Sequence, residues 1–308
     1  MFTAQHVKEL REATGVGMMD CKKALTETNG DMDKAIAYLR EHGLAAAQKK
    51  AGRVAAEGVA FATVIDSIGV VVEVNAETDF VAKNDKFNEF VAGVASAVAK
   101  DAPSDIDALM ALKYPGTDLT IEGQQQEMIL VIGENISVRR FKRYSEGLSI
   151  PYIHAGGKIG VIVNLDVSGI SNMDAVTELG KDIAMQIAAM RPLYLDASSV
   201  DAGELEQEKE IQLKKAIEEN KAKNLPDDKA LQIAENMVKG RINKYYEEIC
   251  LMNQPYVKEN KLTVEKHVQQ VAKSLGGQIK VNAFTRFEKG EGIEKKQDDF
   301  AAEVASML

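Results

Sequence analysis

The feature that most restricts what this chain can fold into is that its middle is written twice. Ile68-Gly69-Val70-Val71-Val72-Glu73-Val74-Asn75 returns 91 residues later as Ile159-Gly160-Val161-Ile162-Val163-Asn164-Leu165-Asp166, with four of the eight positions identical. Each copy follows another β-rich run, Val59–Ile65 and Leu148–His154, so each reads as a hairpin. A helix with one apolar stripe comes next: Phe87, Phe90, Val94 and Val98 in the first half, and Val176, Leu179, Ile183 and Ile187 in the second. Pro103 and Pro192 stop the two helices at equivalent places. Further on, Ile132-Gly133-Glu134-Asn135-Ile136-Ser137-Val138-Arg139-Arg140-Phe141 aligns without gaps on Leu275-Gly276-Gly277-Gln278-Ile279-Lys280-Val281-Asn282-Ala283-Phe284. In register beyond them, Arg143 meets Arg286 and Gly147 meets Gly290. Each half therefore predicts strand–strand–helix–helix–strand, an α+β unit with its helices on one face of a three-stranded sheet. The halves span 58–147, and 148–199 with 251–287.

The two halves differ in length by about 52 residues, because Ile68 to Ile132 is 64 residues and Ile159 to Leu275 is 116. The excess lies at 200–250. Ser199–Asn220 is charge-rich and helical, with seven acidic and three basic residues in 201–220. Pro226 breaks the chain, and a second helix runs from about Lys229 to Cys250. Two long helices around a short turn predict an antiparallel coiled-coil hairpin, most of whose first helix faces water. Such an arm is usually an interaction or self-association device.

Ahead of the duplication, residues 1–43 predict a head of three short helices. Val7, Leu10 and Ala13 share a face of the first, which Gly15 and Gly17 stop. The second runs from Met18 to Thr28 and closes at Asn29-Gly30, while Asp31 caps a third that Gly43 ends. Met18 and Met19 read either as core filling or as an adaptable contact surface. Residues 44–57, Ala-rich and basic, read as a semi-rigid, partly helical linker.

Composition narrows the chemistry. The net charge of −9, from 38 basic and 47 acidic side chains, disfavours a polyanion binder, since phosphate binding depends on Lys and Arg. An RNA- or protein-binding adaptor would use the head and the basic run Arg139-Arg140-Lys142-Arg143, which otherwise reads as a solvated strand edge. Cys21 and Cys250 are too few for a disulfide scaffold or a Cys-rich zinc site, which fits a reducing cytosol. Met1–Glu9 lacks the pattern of a signal or transit peptide, and no run approaches the ~18 apolar residues of a membrane span. Phosphate-loop, dinucleotide, zinc-protease and serine-elbow motifs are missing, and His6, His42, His154 and His267 have no metal-ligand spacing. The expectation is a binding protein without catalytic residues, metal or cofactor.

One short segment stands out. After the strand ending at Asn75 comes Glu77-Thr78-Asp79-Phe80-Val81-Ala82-Lys83-Asn84. Thr78 or Asp79 reads as a helix N-cap with Phe80 as a staple, or else Phe80 is an anchor on a loop tip for a partner's pocket.

That segment, the head run Thr14-Gly15-Val16-Gly17-Met18-Met19-Asp20-Cys21-Lys22-Lys23-Ala24-Leu25, and the tail Phe287-Glu288-Lys289-Gly290-Glu291-Gly292 with Asp299-Phe300-Ala301-Ala302-Glu303-Val304-Ala305 resemble the bacterial translation elongation factor Ts family, in the same order and over essentially the whole chain. The resemblance implies a ubiquitin-associated-like head and a C-terminal helical module at 288–308. It also implies a function: nucleotide exchange on elongation factor Tu, in the cytoplasm, without enzymatic chemistry or direct nucleic-acid contact. It further implies that Thr78, Asp79, Phe80 and Val81 enter the partner's GTPase domain and disturb its magnesium and phosphate site. Leu10, Met18 and Met19 would pack the head on that domain, with Phe300 and Val304 forming a stripe along it. Ile132, Gly133 and His154 would be further contacts, Lys158 standing where many relatives have Arg. Met237 and Val238 would touch another partner domain, or form the hairpin's own core. The hairpin and the core are also candidate surfaces for a homodimer.

Overall fold

The computed structural model describes residues 2–221 and 227–294. They divide into two compact units. The first holds the residues up to Ser145, the segment Ile153–Gly160 and the described residues from Phe287 on; the second holds Glu146–Tyr152 and Val161–Arg286.

The head is three helices, α1 (Ala4–Thr14), α2 (Met18–Glu27) and α3 (Met32–Lys50). The Thr3 side chain caps α1, Gly15 ends it in the left-handed region at φ 72°, and Asp31 caps α3. Val7, Leu10, Val16, Cys21, Leu25 and Leu39 close a small core. The expected break at Gly43 is corrected: α3 continues to Lys50, through most of the stretch read as linker. Leu44-Ala45-Ala46-Ala47 is strongly helix-forming, and Gly43 faces another helix, where a Cβ would lie 3.6 Å from the Gln126 carbonyl oxygen.

In the first half, strands β1 (Glu57–Ile65), β2 (Ile68–Ala76) and β3 (Ile136–Tyr144) form an antiparallel sheet in the order β1-β2-β3. Between β2 and β3 run α4 (Asp85–Asp101), the short α5 (Ile106–Ala111) and α6 (Ile121–Ile132), one helix more than expected. Val70, Val72 and Val74 on one face of β2 pack with Phe87, Phe90, Val94 and Val98 of α4. Burying each phenylalanine contributes about 1.5–3 kcal/mol. Leu130 and Val131 of α6 pack on the head core, and Arg40 pairs with Glu127 at 3.1 Å.

The opposite face of β2 is covered as well. Gly160 approaches Ala60 and Val71 closely enough that a Cβ would meet the Ala60 carbonyl oxygen at 2.8 Å. Glu73, fully buried, accepts from Arg139 Nη1 (3.0 Å), the Gly290 N–H (2.8 Å) and Arg140 Nε. A bulge explains how two successive residues of one strand reach the same carboxylate. Glu73 is paired with Arg140 and Val74 with Val138, so Arg139 is the extra residue, and the kink turns both guanidiniums to one face.

The second half repeats the sheet with β4 (Leu148–His154), β5 (Ile159–Ser168) and β8 (Gln278–Glu288), in the order β4-β5-β8. The helix after β5 is α7 (Met173–Met190), whose Val176, Leu179, Ile183 and Ile187 are buried. Both α4 and α7 run into a left-handed residue before proline, Ala102 (φ 48°) and Arg191 (φ 51°). Then come α8 (Ala202–Lys221) and α9 (Asp227–Ile249), the two-residue β6 (Pro255–Tyr256), β7 (Glu259–Thr263) and α10 (Val264–Ser274). Helices α8 and α9 are antiparallel: Glu204, early in α8, accepts from Tyr245, late in α9, and Arg241 reaches Gln212 and Glu219. Pro226 and the expected stripe at Phe300 and Val304 lie outside the described residues.

Candidate functional site

The loop leaving β2 is held by two carboxylates that cross over each other. Glu134, just past the end of α6, accepts from the Thr78 N–H at Oε2 (2.9 Å) and from the Thr78 hydroxyl at Oε1 (2.7 Å). Glu77 returns the arrangement by accepting from the Asn135 N–H (2.6 Å). Arg53 lies 3.5 Å from Glu77 Oε1, and its carbonyl accepts from Asn135 Nδ2 at 2.8 Å. Charge-assisted contacts of this kind are roughly twice as strong as neutral ones. The backbone makes the crossing: α6 ends at Gly133 in the left-handed region (φ 85°, ψ 8°), a conformation that costs glycine little, and the turn delivers Glu134 to the loop.

What the clamp presents is Phe80, 77% exposed on the loop, with exposed Asp79 before it. Val81 is the loop's anchor, buried in the core at the start of a single 3-10 turn, Val81–Lys83. The capping reading is corrected. Helix α4 is capped by Asn84, whose side chain accepts from the Phe87 N–H, while Thr78 turns back to Glu134 and Phe80 staples nothing. An exposed phenylalanine on a tethered loop is the opposite of what burial drives, and it suits recognition.

The other expected contacts fall into several groups. Met18 (54% exposed) and Met19 (74%) stand at the start of α2, so the core reading fails for both. Leu10 is corrected the other way: it is 0% exposed inside the head, because it sits on the apolar stripe of α1. Ile132 is half-buried against the first-half core, and Gly133 is the exposed helix end. His154 is exposed, entering the turn Ala155-Gly156-Gly157, all three with positive φ. Thr78, Asp79, Phe80, Val81, Ile132 and Gly133 are brought together by the Glu134 contact. Met18, Met19 and His154 belong to the same unit. Met237 and Val238 are half-buried on α9 in the second unit, Val238 lining a groove of about 530 Å³ with Leu213 and Ile242.

Sequence reasoning missed Glu134 and Glu77. The signal was faint: a glutamate directly after a helix-ending glycine, and another directly before a Thr-Asp pair. It also left the basic cluster open to a nucleic acid, but Arg139 and Arg140 serve Glu73 and Glu291, and Arg143 donates to the Ala99 carbonyl (3.1 Å). Among the described residues, no three His, Cys, Asp or Glu side chains are grouped to hold a metal ion. Burial raises the Cys21 thiol and pushes that of Cys250 up to about 11, so neither is a ready thiolate at neutral pH. No helix among the described residues is long and apolar enough to cross a membrane.

Comparison with known proteins identifies the setting of this loop. The profile of the family "Elongation factor TS" matches residues 77–291, from the clamp's Glu77 to Glu291. The chain is 49% identical over 308 residues to elongation factor Ts of Magnetococcus marinus, covering 99% of this chain and 98% of that one. It is 48% identical to that of Syntrophotalea carbinolica, covering 99% of each, and 49% identical to that of Clostridium perfringens strain SM101, covering 100% and 99%. The chain belongs to the elongation factor Ts family and is a factor of translation elongation.

Proposed function

We propose that the chain is a guanine-nucleotide exchange factor: it binds elongation factor Tu loaded with GDP, displaces the GDP, and holds the empty partner until GTP binds. The need is kinetic. A nucleotide held at nanomolar affinity leaves at roughly 10⁻³ s⁻¹ for an association rate constant near 10⁶ M⁻¹s⁻¹, far too slowly for protein synthesis. A factor that binds the empty partner more tightly than the loaded one weakens nucleotide binding by the same factor, because linkage is reciprocal. Such a factor forms no covalent bond and needs no catalytic side chain, so the proposal includes a non-enzymatic role. It acts in the cytoplasm, where elongation takes place.

The observation that carries this reading is Phe80, 77% exposed beside Asp79 on a loop tied at Thr78. Burying it in a pocket of the partner's GTPase domain would supply about 1.5–3 kcal/mol, enough to stabilise a displaced helix or loop. Asp79 would bring a negative charge toward the phosphate and magnesium site, disfavouring the bound nucleotide. Met18 and Met19, with their adaptable side chains, would dock the head on the same domain. Stopped-flow release of fluorescent GDP from elongation factor Tu tests the proposal. Catalytic amounts of the wild-type chain should accelerate release many-fold. Phe80→Ala should lose about 100-fold of that acceleration, in line with about 2–4 kcal/mol at an interface anchor, and melt at the wild-type temperature. Release that is no faster with wild type than without it would end this reading.

A further inference from the structure

We infer that Glu134 is a positioning residue for exchange: its carboxylate holds Thr78 by two contacts and so presets Phe80 in the conformation that the partner takes up. This inference rests on the exchange reading and adds the residue that prepares the loop for it. Three observations carry it. Glu134 reaches the loop through both carboxylate oxygens, at 2.9 Å and 2.7 Å, and Glu77 answers with a contact to the Asn135 N–H at 2.6 Å. The loop is thereby tied to the end of α6 on both sides of the crossing. Phe80 lies two residues beyond Thr78 and is held by no burial of its own, so its placement depends on the anchors on either side of it, Thr78 and Val81.

The third observation is the duplicated half. The aligned turn after α10 keeps the left-handed glycine, Gly276 at φ 74°, but has Gly277 where the first half has Glu134. There the strand exit packs directly on the turn: a Cβ on Gly277 would meet the Ser168 carbonyl oxygen at 2.4 Å and the Gly169 carbonyl carbon at 2.9 Å. The same fold thus closes this corner without a carboxylate. Glu134 is a feature of the half that carries the exposed phenylalanine, not a requirement of the sheet and helix beneath it.

An unordered loop would be competent only part of the time, and the apparent affinity falls by that fraction while the bound complex is unchanged. Glu134→Ala should therefore raise the half-saturating concentration for GDP release about tenfold and leave the plateau rate within twofold of wild type. Glu134→Gln keeps an acceptor for the Thr78 N–H and a partner for its hydroxyl, and should recover most of the loss. Calorimetric titration of nucleotide-free elongation factor Tu then tests whether Glu134 works through Phe80. On a Phe80→Ala background, adding Glu134→Ala should change affinity less than twofold.

The loop is also read without any partner. The chain has no tryptophan, so Phe80→Trp creates a single reporter. Adding Glu134→Ala to it should increase the fast component of its anisotropy decay about twofold, and hydrogen exchange at the Thr78 amide should accelerate. Unchanged anisotropy and exchange would show that there is no clamp. A loosened loop with unaltered half-saturation would show a clamp without a role in exchange. A full additive penalty on the Phe80→Ala background would show that Glu134 acts elsewhere. Each of these overturns the inference with wild-type activity intact, whereas failure of the exchange reading itself appears as an inactive wild type.

Discussion

The two halves of the core began from one pattern, and their differences sit where a strand meets its helix. In the first half, β2 exits into a loop that is held at arm's length by Glu134 and displays Phe80. In the second, β5 exits into Gly169, pressed against Gly276-Gly277, and the segment Ile170-Ser171-Asn172 that follows carries no aromatic. A long charged side chain keeps two backbones apart and tethered; a glycine lets them touch. The strands differ in the same manner. Where β2 buries Glu73 under two arginines and the Gly290 N–H, β5 has Asn164, whose amide donates to the Glu146 carbonyl (2.6 Å) and the Ser149 hydroxyl (3.2 Å). A neutral amide closes the second sheet on itself. The charged residue recruits the distant segment Phe287–Gly292 instead, with Arg140 stacked 4.3 Å from the centre of the Phe287 ring.

The widest contrast should come from that pair. Glu73→Ala strands two guanidiniums and a buried N–H, which for a broken buried ion pair costs about 3–5 kcal/mol. Asn164→Ala removes neutral contacts worth about 1–3 kcal/mol. Urea unfolding followed by circular dichroism measures both. Equal losses would mean that the recruited segment contributes little to the first unit.

Next in size is the attempt to give the second half the first half's residue. Gly277→Glu places a Cβ within 2.4 Å of the Ser168 carbonyl and should cost about 1–3 kcal/mol through forced backbone movement. Glu134→Ala, at the half-buried turn of the other corner, removes the two contacts to Thr78 without forcing the backbone and should cost about 1 kcal/mol. Thermal melts of the two variants side by side decide whether the corners are as unequal as their contacts.

The smallest effect concerns pH. His267 of α10, stacked on Tyr256 at 4.0 Å, is held below its ordinary pKa, first by burial, with Lys258 adding to this and Asp182 and Glu259 opposing it. A folded pKa below the unfolded one means that protonation favours unfolding. The stabilisation is complete above pH 6.5 and is lost progressively as the pH falls below it. The melting temperature should fall modestly from pH 7 to pH 5.5, and His267→Phe should flatten part of that slope. By the alignment offset the first half has Gln124 at this place, which does not titrate.

The repeat made much of the fold legible. Strands, the stripe of α4 and that of α7, and the two helices of the arm follow from apolar spacing at periods of 2 and 3.6, a signal that depends only on neighbours along the chain. The break at Gly43 misled because helix ends are settled by competition. An Ala-rich run and a packing partner in α6 outweighed one glycine. The site was half legible. Phe80 reads as a loop aromatic from the sequence, but the family resemblance groups Leu10, Met18 and Met19 as partner contacts, although the stripe of α1 buries the first and the start of α2 displays the other two.

Sequence alone determined that the core is duplicated, where an arm was inserted, and which short segment between a strand and a helix carries a loop aromatic, because all three are patterns of order along the chain. Only the tertiary structure decided that Glu134 meets Thr78 across 56 positions, or that one buried glutamate gathers Arg139, Arg140 and Gly290. Those pairings hang on a left-handed glycine and a one-residue bulge, and a charge carries no mark in the sequence of the partner it will find once the backbone turns.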